Sequence, residues 1–348
     1  MDTRDTPEQA ELRRSARQLA GDLGPSTVAD LDDLARRRRL GAAVREAGWL
    51  DLRGEGDDAP LASGVEAAIV ADALGGAAAD VPFAGPVLAA DLARRAGVTD
   101  TGGAVVAFTS TLIDPAIVSD AVTCAPIYAV DSDDAINAAY VLIPEGSGYR
   151  LAAVRVDGGP DPTGGTDLTR TVRAIPAGSS AQRIADQRVV LTGDDLAAWT
   201  ALGFALTSAD LVGVMRGVVD LTVAYAAQRR QFGVPVGSFQ AVQHLLADAQ
   251  CLMEGSLSVA LHASWAVDNL APNDARSAGR VAKTYCARAA RTVCETAVQV
   301  HGGIGNTWEC MAHVYLRRAL LSSQWFGDDR VQLRALGHER LRAAHGLS

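Results

Sequence analysis

Lysine is nearly missing from this 348-residue chain: Lys283 is the only one, and arginine carries almost all of the positive charge. With abundant alanine, glycine and aspartate, that skew reads as the codon bias of a GC-rich bacterium and carries no chemistry. Cysteine is also scarce. Cys124, Cys251, Cys286, Cys294 and Cys310 are odd in number and include no C-x-x-C pair. This argues against a disulfide framework or a zinc site and predicts reduced, mostly buried thiols. The six histidines show no H-E-x-x-H spacing, so no metal centre is expected. There is no run of 18 uncharged apolar residues, and MDTRDTPEQAELRR places acids where a signal peptide has a basic and then an apolar segment. A cytoplasmic protein without a membrane span is predicted. Positive charge is in deficit overall, at a net charge of -9, which disfavours non-specific binding of nucleic acid.

What is present is patterned in three textures. The stretches 11–24, 27–48, 62–76 and 85–97 carry apolar residues three and four apart and end near glycines, which predicts an N-terminal helical domain over 1–102. Short β-branched runs follow at 104–110, 127–130, 138–144, 149–156 and 188–193, separated by turn material such as PEGSG and DGGPDPTGG. With no helix between them they predict a small, mainly antiparallel β domain, a barrel or sandwich, over 103–192. Over 193–348, long helical patterns at 194–232, 239–270 and 274–302, then shorter ones near 308–322 and 328–344, predict a four-helix-bundle domain. The fold class is therefore mainly α with a small central β domain.

Two stretches carry chemistry. QVHGGIGNTWE (299–309) packs three glycines behind a histidine, but the glycines come at the end of a helix and not after a strand, so a dinucleotide fingerprint is rejected. The plain reading is a glycine helix stop with Thr307 capping the next helix; the functional one is a close approach to a phosphate. RRQFGVPVGSFQ (229–240) reads as a charged helix terminus, with Ser238 as the N-cap of the following helix. It reads equally as a guanidinium at Arg229 gripping a pyrophosphate, flanked by Phe232 and Gln240.

Taken together, about sixty residues apart on neighbouring helices, the two stretches resemble those of the acyl-CoA dehydrogenase family. Arg229, Phe232, Gly233, Phe239 and Gln240 match its R-x-x-F-G…F-Q stretch, and Gln299, Gly302, Gly303 and Gly305 match its Q-x-x-G-G-x-G stretch. The resemblance implies FAD, an acyl-CoA substrate and an electron-transfer flavoprotein as acceptor. It also implies that the two stretches reach across a subunit interface to the pyrophosphate and adenosine of a neighbour's FAD. The family removes the α-proton with a glutamate while the β-hydrogen leaves as hydride.

That glutamate is missing. One of its two known places falls on Phe326, in the Trp325-Phe326-Gly327 stretch, and the other, counted back from Arg229, on Gly203 and Phe204. The middle domain has only PTGGTD (162–167) as an echo of a flavin loop and no tryptophan between Trp49 and Trp199. Asp210 is the nearest acid to the second place, nearly two turns further along the helix. Glu309 reads as a first-turn residue favoured by the helix dipole. His301 is open to a phosphate or to the backbone, and His244 and His313 fall on helices.

The expectation is a chain without a catalytic base: the non-catalytic subunit of a heteromeric enzyme of a short actinobacterial type. In it Arg229, Gln231, Phe232, Gln240, Gln299, Gly302 and Gly303 complete the FAD site of a second acyl-CoA dehydrogenase-like chain in a heterotetramer. Fatty-acid or steroid side-chain thioesters are the implied substrates. The alternatives are a homo-oligomer using Asp210 or Glu309, an oxygenase on the same fold, and a scaffold that binds no flavin.

Overall fold

The computed structural model describes residues 4–56, 59–99, 103–119, 121–157 and 165–345. Helices come first. α1 (Pro7–Leu23) begins where Thr6 and Gln9 close a reciprocal capping box, with Pro7 in its first turn. The stretch 27–48, expected as one helix, is divided. Val28–Asp32 form a 3-10 turn, and Asp33 then caps α2 (Leu34–Glu46), accepting from the N–H groups of Ala35 and Arg36 at 2.9 Å each. A short carboxylate satisfies free first-turn donors better than it continues a helix. α3 (Gly64–Gly76) is buried over most of its length. α4 (Ala84–Arg95) has no local side-chain cap; its first N–H groups, on Phe83 and Gly85, donate at 2.9 Å to Asp131, 46 residues or more away.

The strands are β1 (Val105–Phe108), β2 (Ile127–Ser132), β3 (Ala138–Glu145), β4 (Gly148–Arg155), β5 (Thr171–Ile175) and β6 (Ala181–Arg183). They form one six-stranded sheet in the order β5-β2-β1-β3-β4-β6. Neighbours run antiparallel except β1 and β3, which are parallel. β5 and β6 lie outside the runs that the sequence marks. The marked run at 188–193 makes only the single bridge between Tyr149 and Leu191. Gln187 takes the place of a ladder there: its side chain accepts from Leu151 N–H and donates to the Val189 carbonyl. The first part of PTGGTD falls outside the described residues, and only Gly165–Asp167 are placed.

The remaining helices are α5 (Gly193–Gln228), α6 (Gln240–Asn269), α7 (Pro272–His301), α8 (Ala312–Gln324) and α9 (Asp329–His345). α5 is the one described helix long and apolar enough to cross a membrane, yet 89% of its most apolar window is buried inside the protein. It is the axis on which α3, α6, α7 and α8 pack, and small residues let them close in. A Cβ on Gly213 would stand 2.1 Å from the Asp72 carbonyl oxygen of α3.

A buried charge network ties these layers together. Asp210 of α5 accepts from Arg318 of α8 at 2.7 and 3.1 Å, pairs with Arg170 at 2.9 Å, and accepts from the Ser322 hydroxyl at 2.7 Å. Arg318 also donates to the Ala79 carbonyl and to Thr169, at 2.8 Å each.

Lys283 lies beside this network, wholly buried, and donates to the Ser322 carbonyl. Burial pushes its ammonium down to about 7 from an ordinary 10.5. Between these values the unfolded chain binds the proton that the folded chain has lost, so stability rises with pH. Above about 9 the rise is opposed, because burial holds the Cys286 thiol protonated up to about 12. Urea unfolding at pH 7, 8 and 9 is expected to show a gain of about 2 kcal/mol across that range. Lys283→Met should flatten it, and an unchanged slope in that variant would show that the titration belongs to another group.

Candidate functional site

The two places where the resemblance would put a base are far apart in the chain and meet in space. Phe326 follows the C-cap of α8 and Gly203 sits on α5, and a Cβ on Gly203 would stand 2.3 Å from the tip of the Phe326 ring. The ring therefore rests on bare backbone, in the space that a side chain at 203 would need. Phe326 is 5.1 Å from Phe108, 5.4 Å from Trp199, 5.8 Å from Trp325 and 6.0 Å from Phe204, ring centre to ring centre. All five aromatics are buried. They come from β1, α5 and the end of α8, and edge and offset contacts of this kind add to their burial.

The backbone pays conformational strain for the arrangement. Phe326 has φ +65° and Leu112 has φ +56°, both in the region that favours glycine. The two are joined by a 2.8 Å bond from Phe326 N–H to the Leu112 carbonyl. Beside the aromatic cluster a cleft of 840 Å³ opens between Ser110–Ile113, Tyr128 and Gln324–Asp328. Phe108 and Trp199 were missed by sequence reasoning. Their only signal was that Gly203 interrupts an otherwise bulky apolar helix, which marks a close approach without naming what approaches.

The second set of residues is exposed and gathered at one end of the bundle. α5 ends at Gln228, so Arg229 and Arg230 lie just beyond the last turn and not in it. Arg230–Gln231 and Val234–Pro235 form a two-stranded hairpin turned by Phe232 (φ +54°) and Gly233 (φ +83°). Phe232 stands at its tip, 93% exposed, with its edge toward Phe239 at 6.3 Å. Ser238 does not cap α6: its hydroxyl turns back to the Pro235 carbonyl at 2.7 Å within a 3-10 turn, and the cap position falls to Phe239.

The glycine stretch lies at the same end. α7 stops at Gly302 (φ +65°), as a glycine stop should, and Tyr225 of α5 stacks on His301 at 4.3 Å and donates to its carbonyl. Among the described residues, nothing lies within 4 Å of where a Cβ would sit on Gly302 or Gly303. Gln231, Gln240 and Gln299 are exposed. The guanidinium of Arg229 is exposed too and meets no carboxylate among the described residues. A free guanidinium, open glycine backbone, three amides and a bare aromatic ring fit the phosphates and base of a nucleotide such as that of FAD, presented from outside the chain.

The other candidates are placed plainly. Burial alone would raise the Asp210 carboxyl, but Arg170 and Arg318 outweigh it and hold the group below its usual range; it is an ionised member of a closed network. Thr307 is not a helix cap and Glu309 is not in a first turn. The glycines are spent on a 3-10 turn over Gly302–Asn306, a second turn follows, and α8 starts only at Ala312. Glu309 is exposed there. His301 is buried and bonded to the Ala297 carbonyl at 2.8 Å. Burial alone would lower its pKa, but bonds to Cys310 and to that carbonyl hold it above the usual value. His244 is exposed on α6. His313 is buried edge-on to Trp308 at 5.2 Å, and burial and Arg317 lower its pKa.

Residues 201–341 match the family model described as the C-terminal domain of acyl-CoA dehydrogenases. The acyl-CoA dehydrogenase IpdE2 of Mycobacterium tuberculosis is 31% identical over 274 residues, covering 79% of this chain and 77% of the relative. The chain belongs to the acyl-CoA dehydrogenase family. This is a family of FAD-dependent oxidoreductases. The IpdE2 protein of Mycolicibacterium smegmatis is 37% identical over 182 residues, and there the match spans 52% of each chain, about half of the relative's length. Among solved structures, a chain of the ChsE4-ChsE5 complex from Mycobacterium tuberculosis superposes with a TM-score of 0.78 at 25% identity. The match covers 98% of this chain and 99% of that one. The matched C-terminal region of this acyl-CoA dehydrogenase family member contains the Gly203–Phe326 contact and both exposed stretches.

Proposed function

We propose that this chain is a non-catalytic subunit of a heteromeric FAD-dependent acyl-CoA dehydrogenase. The observation that carries the proposal is the Phe326 ring seated on Gly203: the two places for a base are one place in space, and it is filled by carbon. That position holds no carboxylate to take an α-proton, and Phe326 packs there against four other rings. FAD, when bound, supplies the hydride acceptor. What this chain offers it is Arg229, Gln231, Phe232, Gln240, Gln299, Gly302 and Gly303, exposed together and turned outward to a neighbour's cofactor. A second, unlike chain of the same family would bring the base and the flavin ring, consistent with the likeness to a chain of the ChsE4-ChsE5 complex. An acyl-CoA thioester as substrate and an electron-transfer flavoprotein as acceptor belong to the same reading. The homo-oligomeric alternative loses both of its bases, since Asp210 is locked between two arginines and Glu309 is a surface turn residue.

The test is to purify the chain alone and together with an acyl-CoA dehydrogenase-like partner, then measure flavin content and acyl-CoA oxidation. The complex is expected to hold FAD on about half of its chains, with little turnover by this chain alone. Full loading and turnover by the isolated chain would sink the proposal. In the complex, Arg229→Ala should weaken FAD retention roughly 10- to 100-fold, the range set by losing a charged hydrogen bond; unchanged retention would remove Arg229 from the site.

A further inference from the structure

A second cleft, of 790 Å³, lies between α2, the end of β2 and the turn leading into α8; Gly165, Asp167, Arg170 and Val172 line both it and the cleft beside the aromatic cluster. We propose that this cleft binds a nucleoside phosphate, with the base on Trp308, the phosphates on Arg38 and Arg317, and the ribose hydroxyls on Ser132 and Asp167. The inner end of the cleft is built for polar groups that the described residues do not provide. Ser132 and Asp167 are 2% and 5% exposed, and Ser132 Oγ and Asp167 Oδ2 have no hydrogen-bond partner among the described residues. An unmatched buried hydroxyl and carboxylate oxygen are costly unless something donates to them or accepts from them. Ser132 is aimed by a break in register: the β2–β5 ladder shifts between Val130 and Ser132, and Asp131 takes φ +59° at the shift.

The outer end has the complementary chemistry. Trp308 is 66% exposed, with the Arg317 guanidinium 5.9 Å from its ring centre. Arg38 is exposed and pairs with no carboxylate of the described residues, whereas Asp80, Asp131, Asp133 and Asp134 around the cleft are all held by arginines. The positive charge left over is therefore at the mouth, and the free hydroxyl and carboxylate oxygen are inside. A volume of this size holds a nucleotide. The cleft is not the exposed loop site. It sits at the level of Arg170 and Asp210, and Arg229 lies nineteen residues further along the chain from Asp210, roughly 28 Å at the helical rise.

The experiment is a calorimetric titration of the purified full chain with ADP, adenosine and ribose 5-phosphate. ADP is expected to bind, and each fragment to bind at least tenfold more weakly. Trp308→Ala, Arg38→Ala and Ser132→Ala should each weaken ADP roughly tenfold, as expected for loss of a stacking face, a phosphate contact and a ribose hydrogen bond respectively; Arg229→Ala should leave it unchanged. The first two positions are exposed, so a misfolded variant does not decide the result. FAD, which carries the same ADP group, and coenzyme A, whose ADP has a phosphorylated 3′-hydroxyl, are titrated alongside; an FAD affinity like that of ADP identifies the shared group as what is read, and coenzyme A should bind more weakly because its 3′-phosphate would meet the Asp167 carboxylate. No binding of millimolar ADP overturns the proposal, as does binding of either cofactor without ADP. ADP binding that falls with Arg229→Ala and survives Trp308→Ala overturns it too, by placing the nucleotide at the exposed loops; the subunit proposal would stand in that case.

Discussion

Asp210→Ala is expected to cost about 3–5 kcal/mol of folding stability, the cost of leaving buried charges without their partner. The carboxylate sits between Arg170 and Arg318, with Ser322 on its second oxygen, and all of these are buried. Removing it leaves the buried Arg318 without a carboxylate partner and Arg170 with only the more distant Asp131, at 3.4 Å. The same residues reach the Ala79 carbonyl behind α3 and the start of β5, so the loss should be felt as loosened packing between the helices and the sheet. Urea unfolding, with tryptophan fluorescence as the probe, checks it. Asp210→Asn should recover part of the loss by keeping hydrogen bonds while losing the charge. A cost under about 1 kcal/mol, the range of exposed pairs, would show that the network is open to water.

Phe326→Ala should be comparably damaging, at about 3–5 kcal/mol, because it empties the middle of the aromatic cluster and the rings around it can collapse only partly. The functional counterpart is Phe326→Glu. It restores a carboxylate at a position where the family keeps its base, yet the expected outcome is a less stable chain with no acyl-CoA oxidation of its own. The side chain would point at Gly203 and four rings, an apolar surrounding that disfavours its charged form. Measured turnover by that variant without a partner chain would show that the pocket can open around a carboxylate, and the non-catalytic reading would fail.

How far the sequence reached differs between these sites. Long helices with a 3.6-residue apolar period were legible, and so was the glycine stop at Gly302, because both depend on neighbours a few residues away. The exposed set at 229–240 and 299–303 was legible for the same reason: its spacing is local, and two helix ends joined through antiparallel neighbours must share one end of a bundle. Helix starts were less legible. Ser238 and Thr307 are good capping residues, but each is spent on a 3-10 turn whose need is set by where the next helix must begin. β5 and β6 were hidden because TVRAI and AQR are short and charged, and only pairing with β2 and β4 makes them strands.

By itself the sequence determined that the residues at 203, 204 and 326, where the resemblance would put a base, are of types that cannot accept a proton. That those two places coincide, and that the space between them is closed, was decided only in the tertiary structure. Phe326 lies 123 positions from Gly203 along the chain, and nothing local in either stretch shows that one ring will fill the other's vacancy. Side-chain chemistry is a property of each residue, whereas the space available to it is set by whichever distant elements the core brings alongside.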